Sequence, residues 1–215
     1  MTNNKYQIQA SIFEFLAPQI KTNTTKKFVA AVHKVLASHP EEEKRILYAY
    51  GVAEDTPDDE ALSSIFTFIT DVAFNAPTLS FARGWKGNAY VYYFNEGNPW
   101  EGPWKGRANH ILDTLYIFQN FREFMDPGQE AVGVAFAEDF FKFCHGLAPW
   151  PAITPGQINN GLSARVYGYS ERGLSTSVVS GPFGGESQRR SVLFDCATGV
   201  SLDDLANILG EILSG

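Results

Sequence analysis

The chain has 215 residues, 44% hydrophobic and 14% aromatic, enough to bury about 70% of its unfolded surface, so a single domain over residues 1–215 is the default. Its 24 acidic and 17 basic residues give a net charge of -7, and no basic run exceeds Lys26-Lys27 or Arg189-Arg190, which argues against a nucleic-acid partner. Two cysteines are too few for a disulfide scaffold, so Cys144 and Cys196 are expected as small buried packing residues; with no apolar signal core in MTNNKYQIQA and no run near the ~18 apolar residues of a membrane span, a soluble cytoplasmic protein without a membrane partner is expected.

In chain order, Phe28, Val32, Val35 and Leu36 recur at helical spacing and predict a helix over 25–36. Pro40 followed by Glu41, Glu42 and Glu43 opens a second helix, since proline and acids both suit a first turn. Thr56-Pro57-Asp58-Asp59 sets a capping residue before a first-turn proline, and Leu62, Ile65, Phe66 and Ile69 then follow on one face. AYVYYF, from Ala89 to Phe94, is aromatic and β-branched between Gly87-Asn88 and Asn95-Glu96-Gly97, the pattern of a buried strand. A Gly/Pro/Trp-rich loop, GNPWEGPWKG, leads into a helix from Ile111 to Phe121. A longer helix from Glu130 to His145 carries Val134, Phe140, Phe141 and Cys144. Residues 151–190 are rich in Gly, Ser and Pro, with Ser175 to Ser180 and Ser191 to Phe194 as short strand candidates. Ser201-Leu202-Asp203-Asp204 caps a last helix through Leu213. The pattern is α/β, helix-rich with a small sheet.

Read together, AYVYYFNEGNPWEGPWKGRANHILDTLYIF and FFKFCHGLAPWP resemble the C-terminal third of type B carboxylesterases, the fungal ones above all. ITDVAFNAPTLSFARGW and RRSVLFDCATGVSLDDLANILGEILSG are similar to the family segments on either side. The resemblance implies a truncated α/β-hydrolase-like domain, standing without the part that bears the nucleophile. It also implies that His110, in Gly106-Arg107-Ala108-Asn109-His110-Ile111-Leu112-Asp113, takes the position of the family's general base, with Asp113 as the supporting acid three residues on. An imidazole titrates near ~6.5, which suits proton exchange near neutral pH.

The departures from the family are as informative. No G-x-S-x-G nucleophile turn occurs. The nearest strings, at Ser163, Ser170 and Ser187, lack the second glycine and follow the histidine in sequence. The glycine-rich oxyanion-hole segment is missing, and Gln7 and Gln9 stand where the resemblance places the triad acid.

The candidate catalytic set is therefore His110, Glu101 and Asp113, with Trp100, Trp104, Tyr92 and Tyr116 as substrate-binding walls. The plainer alternatives stand beside it: His110 as a packing histidine, Glu101 as a solvated loop charge, and most of the aromatic side chains as core. Trp85, Trp150, Tyr90 and Tyr93 belong to the same group of cleft-flanking aromatics. His33, His39 and His145 are expected to be structural, no histidine has a metal-ligand spacing, and no cofactor is expected.

Three functions are compatible with this pattern. In the first, a non-hydrolytic enzyme of fungal secondary metabolism, a cyclase or isomerase of pericyclase-like type, holds an apolar small molecule while His110 moves a proton or polarises a carbonyl. Positioning alone can supply up to roughly 7–11 kcal/mol in such a reaction. In the second, the chain is the histidine-bearing subunit of a split esterase; in the third, a non-catalytic binding domain. An isolated AYVYYF strand would expose apolar surface and backbone, so a homodimer or other complex is expected.

Overall fold

The protein was analysed as a computed structural model, which describes residues 20, 22–102, 105–106, 108–109, 111–153, 162–170, 173–174, 177–181, 187–193 and 199–214. Where composition favours one domain, the chain divides into two compact units: the described parts of Ile12–Leu79 with Glu186–Gly215, and those of Ser80–Gly185.

The first unit is helical. It contains α1 (Thr24–Val35), α2 (Pro40–Tyr50), α3 (Asp58–Thr70), a π-turn (Asp71–Asn75), the start of α4 (Ala76–Gly84), the short α7 (Ser187–Ser191) and α8 (Leu202–Ser214). The amphipathic spacing of α1 buries Phe28, Val29 and Val32, and Phe28 meets Phe68 of α3 edge-on at 5.3 Å, as Tyr50 of α2 meets Phe68 at 5.0 Å. Leu205, Ile208 and Ile212 form the buried stripe of α8, which packs on α1. Ser201 caps α8 as its sequence predicts, its Oγ accepting the Asp204 N–H at 3.1 Å.

The expected Thr56 cap is not made. Helix α3 starts after Pro57 with no side-chain cap, and Asp58 instead reaches the first turn of α1, where its Oδ1 accepts the Thr25 N–H at 3.0 Å. Asn23, preceding α1, offers no side-chain cap, so that turn's unpaired N–H is satisfied from another element. These hydrogen bonds hold the Asp58 carboxyl below its ordinary value, the Thr25 backbone N–H contributing most.

Helices α3 and α4 join through the π-turn into one helix, Asp58–Gly84, that by length and composition could cross a membrane. Of its most apolar window, 61% is buried within the protein, the pattern of a core helix. Interruptions by Ser, Thr, Asp and Asn hide this length when only unbroken apolar runs are sought.

The second unit is mixed. Its sheet has the order β1-β2-β5, with β1 (Val91–Phe94) parallel to β2 (Leu162–Tyr167), and β2 antiparallel to β5 (Ser177–Gly181). Val91 pairs with Ala164 and Phe94 with Tyr167. A two-stranded hairpin joins β3 (Tyr169–Ser170) to β4 (Gly173–Leu174). At Gly168 the backbone has φ 135°, and a Cβ there would collide with the backbone of Asn95, so the turn out of β2 demands glycine. Helix α5 (Leu112–Ile117) packs on α6 (Pro127–Cys144). Phe94, Leu112, Tyr116, Val132, Phe136 and Tyr167 form the shared core.

Several expected boundaries move. Ala89 lies outside β1 in an isolated bridge to Ile153. Helix α5 covers only part of the predicted 111–121 span, because Ile111, Gln119 and Phe121 adopt left-handed φ of 68°, 56° and 61° and interrupt it. Helix α6 starts earlier than expected, at a capping box between Asp126 and Gln129 with Pro127 in its first turn. The strand predicted from Ser175 is β5; the one predicted from Ser191 is not formed, since Ser191 ends α7. Strand β2, central in the sheet, lies in a segment whose glycine and serine content obscured it.

An aromatic pocket as the candidate functional site

Two periodicities build an apolar hollow in the mixed unit. Along the strand approach, Tyr90 and Tyr92 project to one side because alternate residues share a face. Along α6, Phe136, Asp139, Phe140 and Phe143 recur every three to four residues and share a helical face. With Pro149 and Trp150, these side chains line a cavity of about 140 Å³. Tyr92 packs on Phe136 at 5.0 Å, and Tyr90 stands nearly perpendicular to Phe143 and Trp150 at 5.9 and 6.0 Å.

The only carboxylate among the described lining residues, Asp139, is 3% exposed. Its Oδ1 accepts from Lys142 Nζ at 2.9 Å, and its Oδ2 accepts from the Tyr167 hydroxyl at 2.7 Å and lies 3.3 Å from Arg165 Nε. Burial, reinforced by the neighbouring Asp139, pushes the Tyr167 hydroxyl well above the usual phenol range, so it remains a donor. The Trp150 indole N–H is buried and meets no acceptor among the described residues.

Tyr92 is both wall and connector. Its hydroxyl donates to Asp113 Oδ2 at 3.1 Å, linking the pocket to the first turn of α5. Burial first, then the charge and hydrogen bond of Asp113, raise its pKa well above the usual phenol range. Asp113 also accepts its neighbour Thr114's N–H at 2.9 Å.

The other predicted site residues divide sharply. His110 and Trp104, like Gln7, Gln9 and Cys196, lie outside the described residues. Glu101 is exposed and forms an ion pair with Lys105, as a solvated loop charge does. Tyr116 is not a pocket wall: it is fully buried in the core, its ring 5.0 Å from Phe94 and its hydroxyl donating to the Gly97 carbonyl at 3.3 Å. Its place on α5, one turn after Leu112, turns it inward. Trp100 packs beside that core and meets Phe121 edge-on at 5.6 Å, away from the pocket lining. Cys144 is exposed rather than buried, because the inward stripe of α6 is Val132, Phe136 and Asp139.

Asp139 is the residue sequence reasoning missed. Its signal was present: a carboxylate at the third position of the stripe Val132-Phe136-Asp139, where an apolar side chain would be expected. In the helical unit, by contrast, the hollow of about 290 Å³ lined by Lys26, Val29, Ala30, His33 and Glu54 has no Phe, Tyr or Trp among its described lining residues. Among the described residues no cluster of three or more His, Cys, Asp or Glu could hold a metal ion. No protein-family model, curated protein or solved structure matches the chain.

Proposed function

We propose that the chain is a non-hydrolytic enzyme acting on an apolar small molecule, a cyclase or isomerase, with the aromatic pocket as its binding site and His110 as its acid/base or carbonyl-polarising group. The observation that carries the binding half is a cavity of about 140 Å³ lined by six aromatic side chains, whose member Tyr92 is hydrogen-bonded to Asp113, three residues after His110 in sequence. The chemical half rests on the resemblance to type B carboxylesterases, which puts an imidazole at this point of the chain, while no G-x-S-x-G motif occurs in the sequence. The parallel pair β1-β2, with His110 following β1 in sequence, supports a piece of an α/β-hydrolase-like fold.

In this scheme the pocket excludes water from a bound apolar group, and His110 takes or gives the proton. Tyr92 does not act as a base: its hydroxyl is held protonated and already donates to Asp113. Asp113 is a positioning residue, fixing the Tyr92 ring as a wall.

A second reading has its own observation. Phe140, Phe141, Phe143 and Leu147 at the end of α6 are 43%, 62%, 54% and 61% exposed, which favours burial against a second chain, either another copy in a homodimer or the serine-bearing partner of a split esterase. Intact-mass analysis after fluorophosphonate treatment, beside native mass spectrometry, separates the possibilities. The proposed enzyme gives no adduct, alone converts a biosynthetic intermediate, and loses that conversion in His110→Ala. A single serine adduct blocked by His110→Ala returns the protein to the hydrolases; conversion only with a second protein present establishes the split form.

A further inference from the structure

We infer that the aromatic pocket is a subsite for one uncharged aromatic ring of the substrate and discriminates against amines. This rests on the proposed binding role of the pocket and adds the chemistry of what enters it.

Size sets the first limit. An apolar cavity of about 150 Å³ holds a benzene ring, and this pocket offers about 140 Å³. Its walls match a ring in kind as well. Tyr90 stands at 87° to Trp150 and 75° to Phe143, so a flat guest can meet one ring edge-to-face while stacking on another, the arrangements aromatic quadrupoles favour.

Charge sets the second limit. Six aromatic rings around one carboxylate would ordinarily attract an organic cation. Here, however, the carboxylate is already engaged: Asp139 Oδ1 is bound to Lys142, and Oδ2 to Tyr167 with Arg165 beside it. Lys142 and Arg165 already flank this one carboxylate, and neither of its oxygens is without a protein partner. An ammonium entering the pocket would lose its hydration and find no carboxylate oxygen open to it among the described lining residues. A carboxylate guest would also be desolvated, with Lys142 and Arg165 held on Asp139. A neutral ring bears neither cost, and an ether or carbonyl oxygen on it has the Trp150 N–H, which meets no acceptor among the described residues, as a complementary donor nearby.

The test uses the full chain labelled with ¹⁵N and three probes of one shape: benzyl alcohol, benzoate and benzylamine. The Trp150 indole signal, assigned with Trp150→Phe, is followed on titration. Benzyl alcohol should shift it saturably and bind at least about tenfold tighter than benzylamine, a difference of ~1.4 kcal/mol, with benzoate between them. Phe143→Ala, at a half-exposed rim position, should weaken benzyl alcohol about fivefold, the scale of truncating one apolar contact, while the other indole signals report an intact fold. Benzylamine binding as tightly as the alcohol, absence of saturable binding, or indifference to Phe143→Ala would each overturn the inference. His110→Ala separates it from the enzymatic proposal: ring binding persists there if the subsite is right, and failure of turnover in the unmodified chain sinks the enzyme while leaving the subsite standing.

Discussion

The two units each bury one aspartate between a tyrosine hydroxyl and an arginine Nε, yet only one of these aspartates borders a candidate site. In the helical unit, Asp71 of the π-turn, 1% exposed, accepts from Arg189 and Arg190 Nε at 2.9 Å each, from Asn75 at 2.8 Å and from Tyr50 at 3.2 Å. In the mixed unit, Asp139 accepts from Tyr167 and Lys142 and pairs with Arg165. Asp71 is enclosed by its own partners, whereas Asp139 abuts an aromatic hollow. A buried, fully paired carboxylate is thus a structural device in both places, and the site is defined by the unfilled apolar space beside it.

Asp71→Asn tests the enclosed member and should have the largest effect. It removes the carboxylate that two arginine Nε atoms hold, their side chains 17% and 3% exposed, and breaking such a buried pair by removing one partner costs about 3–5 kcal/mol. Urea unfolding measures this; a loss below ~1 kcal/mol would mean that the enclosure of Asp71 is not what stabilises the unit.

Asp139→Asn should cost less, about 2 kcal/mol, the scale of hydrogen bonds to a charged group, since the Lys142 side chain is 48% exposed and water replaces part of its interaction. Benzyl alcohol binding should change less than about threefold, a difference below ~0.7 kcal/mol, because the carboxylate faces protein donors. A collapse of binding with the fold intact would give Asp139 a direct role and erase the contrast with Asp71.

Tyr92→Phe keeps the pocket wall and removes the hydroxyl. A stability loss of ~1 kcal/mol is expected for one hydrogen bond, with ring binding unchanged. The wild-type Tyr92 phenol should also resist ionisation in an ultraviolet alkaline titration, being raised above the usual range by burial and Asp113.

The smallest effect belongs to the cap of α8. The Ser201 backbone N–H, first, and its hydroxyl lower the Asp204 pKa from its ordinary 3.8. A folded-state pKa below the unfolded one stabilises the protein above the unfolded value, and the contribution is lost as pH falls through the folded value. Ser201→Ala should therefore lower Tm slightly near neutral pH and progressively less in acid below 3.8; a constant deficit across that range would show that the cap acts without the Asp204 charge.

The sequence was legible where local chemistry decides structure. Helices at 24–35, 40–50 and 202–214 follow from amphipathic spacing, Pro40 with its acids, and the Ser201 cap; VYYF is a strand because β-branched and aromatic residues suit one. Tyr92 was named only as one of the aromatics flanking a cleft, within the strand segment AYVYYF. Asp113 was named from the family resemblance, and its partner, the Tyr92 hydroxyl, appears only in three dimensions.

What only tertiary structure decided is which side of each element faces inward. The α6 segment carries phenylalanines on several faces, so its composition does not choose between burying Phe136 with Asp139 and burying Phe140 with Cys144; packing against α5, the hydrogen bond from Tyr167 and the ion pair with Arg165 of β2 choose the first. Strand β2 itself, weak in local propensity, forms because β1 and β5 supply its hydrogen bonds from either side. Chain order and residue type determined the elements of this protein; its pocket exists because residues far apart in sequence, Tyr90 and Trp150 among them, had to be brought together before any apolar space lay between them.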